Sequence, residues 1–164
     1  GVILPSYEQF IVRMRVDNQI SELYRLLLHT RNLAINRGQN VTLCPLDHSS
    51  NCTTQWHNEL SIFTDNNENR VFEPEAGEEI FKIKGPINSN DRLVYGIGRD
   101  RVVFQPTGRL SGWGINGTFR YCPKNNNELA RGIRVAVSGR LYITSDIDND
   151  GKDEVRSGSE LDCN

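Results

Sequence analysis

Apolar residues at the start of the chain recur every three or four positions, and beyond Gly38 the period falls to two. From Ile20 onward, Leu23, Leu27, Thr30 and Ala34 form one stripe, with Leu26 and Leu33 on its flank. Ahead of it, Tyr7, Phe10, Ile11 and Met14 are expected on a similar face, interrupted by Asp17 and Asn18. The spacing predicts one helix from Pro5 to about Gly38. Pro5 suits a first helical turn and Gly38 suits a C-cap. A helix of about 33 residues spans roughly 50 Å at 1.5 Å per residue, longer than a small domain is wide. Its second half is therefore expected to pack on a core and its first half to protrude.

The alternating segments predict strands at Val41–Leu46, Leu60–Thr64, Glu79–Lys84, Arg92–Ile97, Arg101–Gln105, Thr118–Cys122, Ile133–Val137 and Arg140–Thr144. Ser138-Gly139 between the last two reads as a two-residue hairpin loop. No long helical pattern separates the strands, so the sheet is expected to be antiparallel. The division is residues 1–38 as helix and 39–164 as an antiparallel β globular part, together one domain. The fold class is α+β.

Composition adds a compartment and a charge pattern. The cysteines are Cys44, Cys52, Cys122 and Cys163; an even number with one close pair suits disulfides and an oxidising compartment. Three connectivities are open, of which Cys44–Cys52 with Cys122–Cys163 is the simplest. The net charge of −2 points to no partner by itself. Residues 99–140, however, carry eight basic and two acidic side chains, a net +6, between segments 41–98 and 141–164 that each carry a net −5. Such a basic stretch suits either a polyanion or ordinary charged strand edges. Strand alternation prevents its arginines from all sharing one face. Arg99, Arg109 and Arg140, near turns, are the exposed candidates.

The sequence does not recommend catalysis. Gly112-Trp-Gly114-Ile-Asn-Gly117 matches a dinucleotide fingerprint literally, but a strand follows it where a helix is required, so it reads as a loop. Cys44, His48, Cys52 and His57 have a spacing uncommon for zinc. Asp146-Ile-Asp148-Asn-Asp150-Gly151 reproduces the first half of a calcium loop, with carboxylates at positions 1, 3 and 5. Position 12 is Ser157 instead of Glu, and Glu154 or Asp153 would have to substitute. A structural calcium is the one cofactor this pattern admits, beside the reading as a solvated acidic turn.

In its ordered set of motifs the chain resembles the FimT/FimU/GspH family of minor type IV pilins and type II secretion pseudopilins. The carrying residues are Pro5-Ser-Tyr7-x-x-Phe10, Arg31-Asn-Leu-Ala34 running to Val41-Thr-Leu-Cys44-Pro45, Cys52-x-x-x-Trp56 and Ile62-Phe63-x-Asp65-x-Asn67. Val103-Phe104-x-Pro106-x-Gly108, Gly117-Thr118-Phe119-x-x-Cys122 and Val137-Ser138-Gly139-Arg140 continue it. The resemblance implies a pilin-like fold, one long N-terminal helix packed on antiparallel sheet in two small sheets. It implies a leader and an apolar helix segment preceding Gly1, inserted in the inner membrane, with the globular part in the periplasm and later on a surface pilus. The implied role is non-catalytic: a minor pilin at or near the filament tip that helps start assembly. Its partners would be other major and minor pilins, met through Tyr7, Phe10 and Met14. Two alternatives come with the family. One is an H-type pseudopilin of type II secretion. The other is a DNA-binding pilin for uptake, contacting DNA through Arg140, Arg99, Arg101 and Arg109. The Gly-Arg-x-Arg motif of DNA-binding members reads Gly139-Arg140-Leu141-Tyr142 here, one arginine fewer.

Overall fold

The protein is seen in a computed structural model that describes residues 4–146, 149–154 and 161–163. Helix α1 runs Leu4–Arg37 and ends at Gly38, whose left-handed φ of 67° turns its amide back to Ala34 O at 3.0 Å. This is the glycine cap expected from the sequence. Eight strands follow: β1 Val41–Pro45, β2 Leu60–Phe63, β3 Ile80–Lys84, β4 Arg92–Tyr95, β5 Val102–Phe104, β6 Gly117–Cys122, β7 Arg131–Val135 and β8 Leu141–Ile143. Each overlaps one of the alternating segments, with β7 lying two residues earlier than the expected Ile133–Val137 because residues 136–140 form the hairpin loop. They form two four-stranded sheets, ordered β3-β2-β1-β5 and β4-β6-β7-β8, and every pairing is antiparallel. The expectation of one long helix on two small antiparallel sheets holds.

The helix lies across both sheets. Val16, Ile20, Leu23, Leu27 and Ala34 are buried against β1 and β5 on one side and β7 on the other, in a single apolar cluster. Packing begins earlier than the stripe from Ile20 suggests, because Val16 is fully buried and Val12 packs partly against the same cluster. Thr30 sits within the stripe without an unmet donor, since its hydroxyl bonds Leu26 O at 2.8 Å. Trp56, in the loop after β1, meets Tyr95 and Phe119 edge-on with ring centroids 5.3 and 4.9 Å away. Its indole N–H donates to Arg99 O at 2.8 Å, so one side chain joins the rings of the second sheet to the loop entering the first.

One turn differs from its expected form. The β7–β8 loop has three residues, not two: Ala136 N donates to Arg140 O and Gly139 N to Ala136 O, with Gly139 at φ 88°. This is a three-residue hairpin with its glycine in the left-handed position. The extra residue turns the Val137 carbonyl outward, where it accepts the Leu110 amide at 3.0 Å. The loop is thereby stitched to the 105–109 turn after β5.

Candidate functional site

The helix carries two apolar stripes, and only one is used internally. Tyr7, Ile11 and Met14 each stand nine residues before Val16, Ile20 and Leu23, which is two and a half turns. The first set therefore points away from the domain that the second set packs against. Tyr7, Phe10 and Met14 are about half exposed, at 58%, 56% and 47%, and Ile11 is 44% exposed. Together they form an apolar strip on the outer side of α1.

The helix segment that displays this strip is held in place. The Arg15 guanidinium donates twice to Asp91, at 2.7 and 3.1 Å, and the Tyr121 hydroxyl donates to the same carboxylate at 2.5 Å. The Lys124 amide adds a fourth bond at 3.2 Å. Burial pushes the Asp91 pKa up, but Arg15 and Tyr121 outweigh it and hold the carboxyl below its ordinary value. Burial and the adjoining Asp91 carboxylate push the Tyr121 hydroxyl well above its usual pKa, so it stays a donor. On the other side of the helix, Arg131 of β7 bonds Asp17 at 2.6 Å and Asp153 at 3.2 Å. The buried Lys84 ammonium donates to Gln19 at 3.0 Å. Three polar anchors thus fix the helix just past its exposed stripe.

The structure divides the basic candidates. Arg99 and Arg101 precede β5, and Arg109 and Arg140 lie beyond its other end, on the adjoining 105–109 and 136–140 turns. Arg109 and Arg140 are exposed, whereas Arg99 and Arg101 are half-buried. Arg101 is paired with Asp100 at 2.8 Å, and the Arg99 Nε–H donates to Asn116 O at 2.9 Å. Arg120 and Arg134 join Arg99, a grouping the sequence does not reveal. The register pairs Thr118 with Arg134 and Arg120 with Gly132, so Thr118, Arg120 and Arg134 share the outer face of the second sheet. Strand pairing supplies the missing information.

The cysteines pair as Cys44–Cys52 and Cys122–Cys163, so neither Cys44 nor Cys52 is available to zinc. The second bridge lays residues 161–163 on the outer face of the second sheet, where Arg92 and Arg120 donate to the carbonyls of Cys163 and Asp162. Of the acidic loop, Asp148 and Ser157 lie outside the described residues. Asp146, Asp150 and Glu154 can bring carboxylate oxygens within 4.8 Å of one another, an all-oxygen set of the type calcium takes. Glu154, not Asp153, completes the group, because Thr144 and Arg131 hold Asp153 aside. The Asp146 carboxylate accepts the Asp150 and Gly151 amides at 3.1 and 2.8 Å, as in an ordinary acidic turn. No helix among the described residues is long and apolar enough to cross a membrane.

The sequence matches the profile of the family Type II transport protein GspH over residues 19–139. No curated protein matches it. Among solved structures, the type IV minor pilin FimU of Pseudomonas aeruginosa superposes with a TM-score of 0.65 at 15% identity, covering 83% of this chain and 92% of FimU. The minor pseudopilin EpsH of the Type 2 Secretion System of Vibrio cholerae superposes with a TM-score of 0.55 at 13% identity, covering 80% of this chain and 97% of EpsH. Identities this low speak for a shared fold.

Proposed function

The chain belongs to the GspH family of minor pilins and pseudopilins, and from that premise we propose that it is a non-catalytic minor pilin, at or near the tip of a type IV pilus, that helps initiate assembly. The observation that carries this reading is the outward apolar strip of Tyr7, Phe10, Ile11 and Met14, opposite the core-packed stripe of the same helix. A helix that spends one side on its own domain and offers the other needs a second surface to cover it. Neighbouring pilin helices supply that surface in a filament. The anchors at Arg15, Asp17 and Gln19 support this use, since a rigid strip loses little entropy on docking. On this reading the globular part is periplasmic, with the inner membrane on the side of the helix start, and both disulfides suit that compartment. The test is a Phe10→Asp/Met14→Asp variant in the native host. Loss of pili with normal amounts of folded protein is expected, and unchanged piliation would defeat the proposal.

A second reading, the minor pseudopilin of a type II secretion filament, has the family match and the likeness to EpsH behind it. It uses the same strip; secretion, not piliation, would then fail in the variant. DNA uptake is favoured by one observation only, the exposed Arg109 and Arg140 on adjoining turns. A salt-dependent mobility shift of duplex DNA that Arg140→Ala weakens is the result it requires.

A further inference from the structure

Apart from the helix, the most exposed large apolar side chain among the described residues is Ile97, at 94%. It stands at the apex of the turn leaving β4, between Gly96 and Gly98, whose φ values of +51° and +68° lie in the left-handed region that favours glycine. Gly96 is required for a second reason. A Cβ there would stand 2.8 Å from Arg99 Cγ, so the arginine stem runs directly under the turn that lifts Ile97. The apolar apex and the guanidinium are parts of one construction.

Beside the turn lies an open cleft of about 450 Å³ lined by Ile97, Arg99, Arg120, Arg134, Thr118 and Leu161, among others. The guanidiniums of Arg99 and Arg120 are steered into it by backbone carbonyls: Arg99 donates to Asn116 O, and Arg120 to Asp162 O at 2.8 Å and Gly96 O at 3.1 Å. Carbonyl bonds orient these cations without neutralising them. The Arg134 side chain makes no hydrogen bond or ion pair among the described residues, and it lines the cleft from the neighbouring strand. Among the described residues, the one carboxylate on the rim is that of Asp162. Among the described residues, three cations against one anion give the cleft a positive excess, framed by Ile97 and Leu161.

The geometry points to a docking site for an acidic peptide segment of a partner protein, one in which carboxylates flank an apolar side chain. Guanidiniums match carboxylates in charge and in planar, two-pronged hydrogen bonding. Ile97 and Leu161 decide between peptide and nucleic acid: a phosphodiester backbone gains nothing from an apolar lip, whereas a peptide can bury a side chain against it. The site is separate from the helix strip and stands or falls independently of the filament reading.

The test is a selection from a random dodecapeptide phage library on the soluble domain with its disulfides intact, subtracting peptides that also bind the Ile97→Ser/Arg134→Ala variant. Fluorescence anisotropy of the selected peptides and of a short labelled DNA duplex follows, on wild type, Ile97→Ser, Arg99→Gln and Arg134→Ala, each checked for a native melting curve. The expected result is enrichment of peptides with at least two carboxylates around an apolar residue, whose affinity falls roughly tenfold in each single variant. No enrichment over the variant, enrichment without carboxylates, or binding indifferent to Ile97→Ser overturns the inference. So does duplex binding that Arg134→Ala abolishes and Ile97→Ser spares, which would assign the cleft to phosphodiesters.

Discussion

Met14 and Leu23 occupy opposite sides of one helix, two and a half turns apart, so that Leu23 is 1% exposed in the core while Met14 is 47% exposed on the outside. Their substitutions should therefore separate cleanly. Leu23→Asp buries an unpaired carboxylate and should cost upwards of about 4 kcal/mol, enough to prevent folding. Met14→Asp, alone or with Phe10→Asp, should change stability by no more than about 0.5 kcal/mol. Thermal melts of the isolated domain read both. A Met14→Asp protein that unfolds would mean the strip serves its own domain instead of a partner.

The Arg15–Asp91–Tyr121 group makes a prediction about acid. Asp91 titrates below its ordinary value in the folded protein, so its contribution is fully present above the unfolded-state pKa of about 3.9 and is lost as pH falls through the lower folded pKa. Asp91→Asn should cost about 2–4 kcal/mol at neutral pH, because Arg15 is left without its anion beside a half-satisfied Tyr121. The gap between wild type and variant should hold at neutral pH and narrow as pH falls below the ordinary carboxylate range of about 3.9. Urea titrations across that range measure it, and a gap independent of pH would contradict the assignment.

The two disulfides close chain segments of different length, 8 and 41 residues. In the chain-entropy account they contribute about 2.5 and about 4 kcal/mol. Cys122→Ser/Cys163→Ser should therefore destabilise more than Cys44→Ser/Cys52→Ser. It should also release residues 161–163 from Arg92 and Arg120, seen as faster amide exchange along that segment. Equal losses of stability would argue against an entropic origin.

Gly139 is fixed by contact as well as by conformation. A Cβ on it would lie 1.8 Å from Gly108 O, with Arg31 Nε at 3.2 Å; that same Nε–H donates to Gly108 O at 2.9 Å. Gly139→Ala should cost about 3 kcal/mol or more, by forcing the β7–β8 turn off the 105–109 turn. Gly77 has a similar φ of +85°, but a Cβ there would meet nothing within 4 Å, so Gly77→Ala should cost only about 1 kcal/mol of backbone strain. Thermal melts of the two variants compare them. Comparable losses at both positions would show that conformation, not contact, dominates.

Much of this protein is legible in its sequence because the signals are local. The stripe Ile20, Leu23, Leu27, Ala34 sets the helix and its buried side, Gly38 ends it, and eight alternating segments mark eight strands with no helix between them to allow a parallel sheet. The close Cys44–Cys52 pair is legible for the same reason, its partners being joined by one tight loop. What the tertiary structure alone decided depends on register and on contacts between distant segments. Arg120 and Arg134 become neighbours of Arg99 only once β6 and β7 pair as they do, since a shift of one residue would send each to the other face. The extra residue in the β7–β8 loop answers to Leu110, distant in sequence, whose amide the Val137 carbonyl accepts. Asp153 and Glu154 are adjacent and alike in charge, yet Arg131 claims one and leaves the other beside Asp146 and Asp150. Periodicity specifies which side of an element is apolar; which charged side chains converge on its other side is set by the pairing of whole strands, and no short stretch of sequence encodes that.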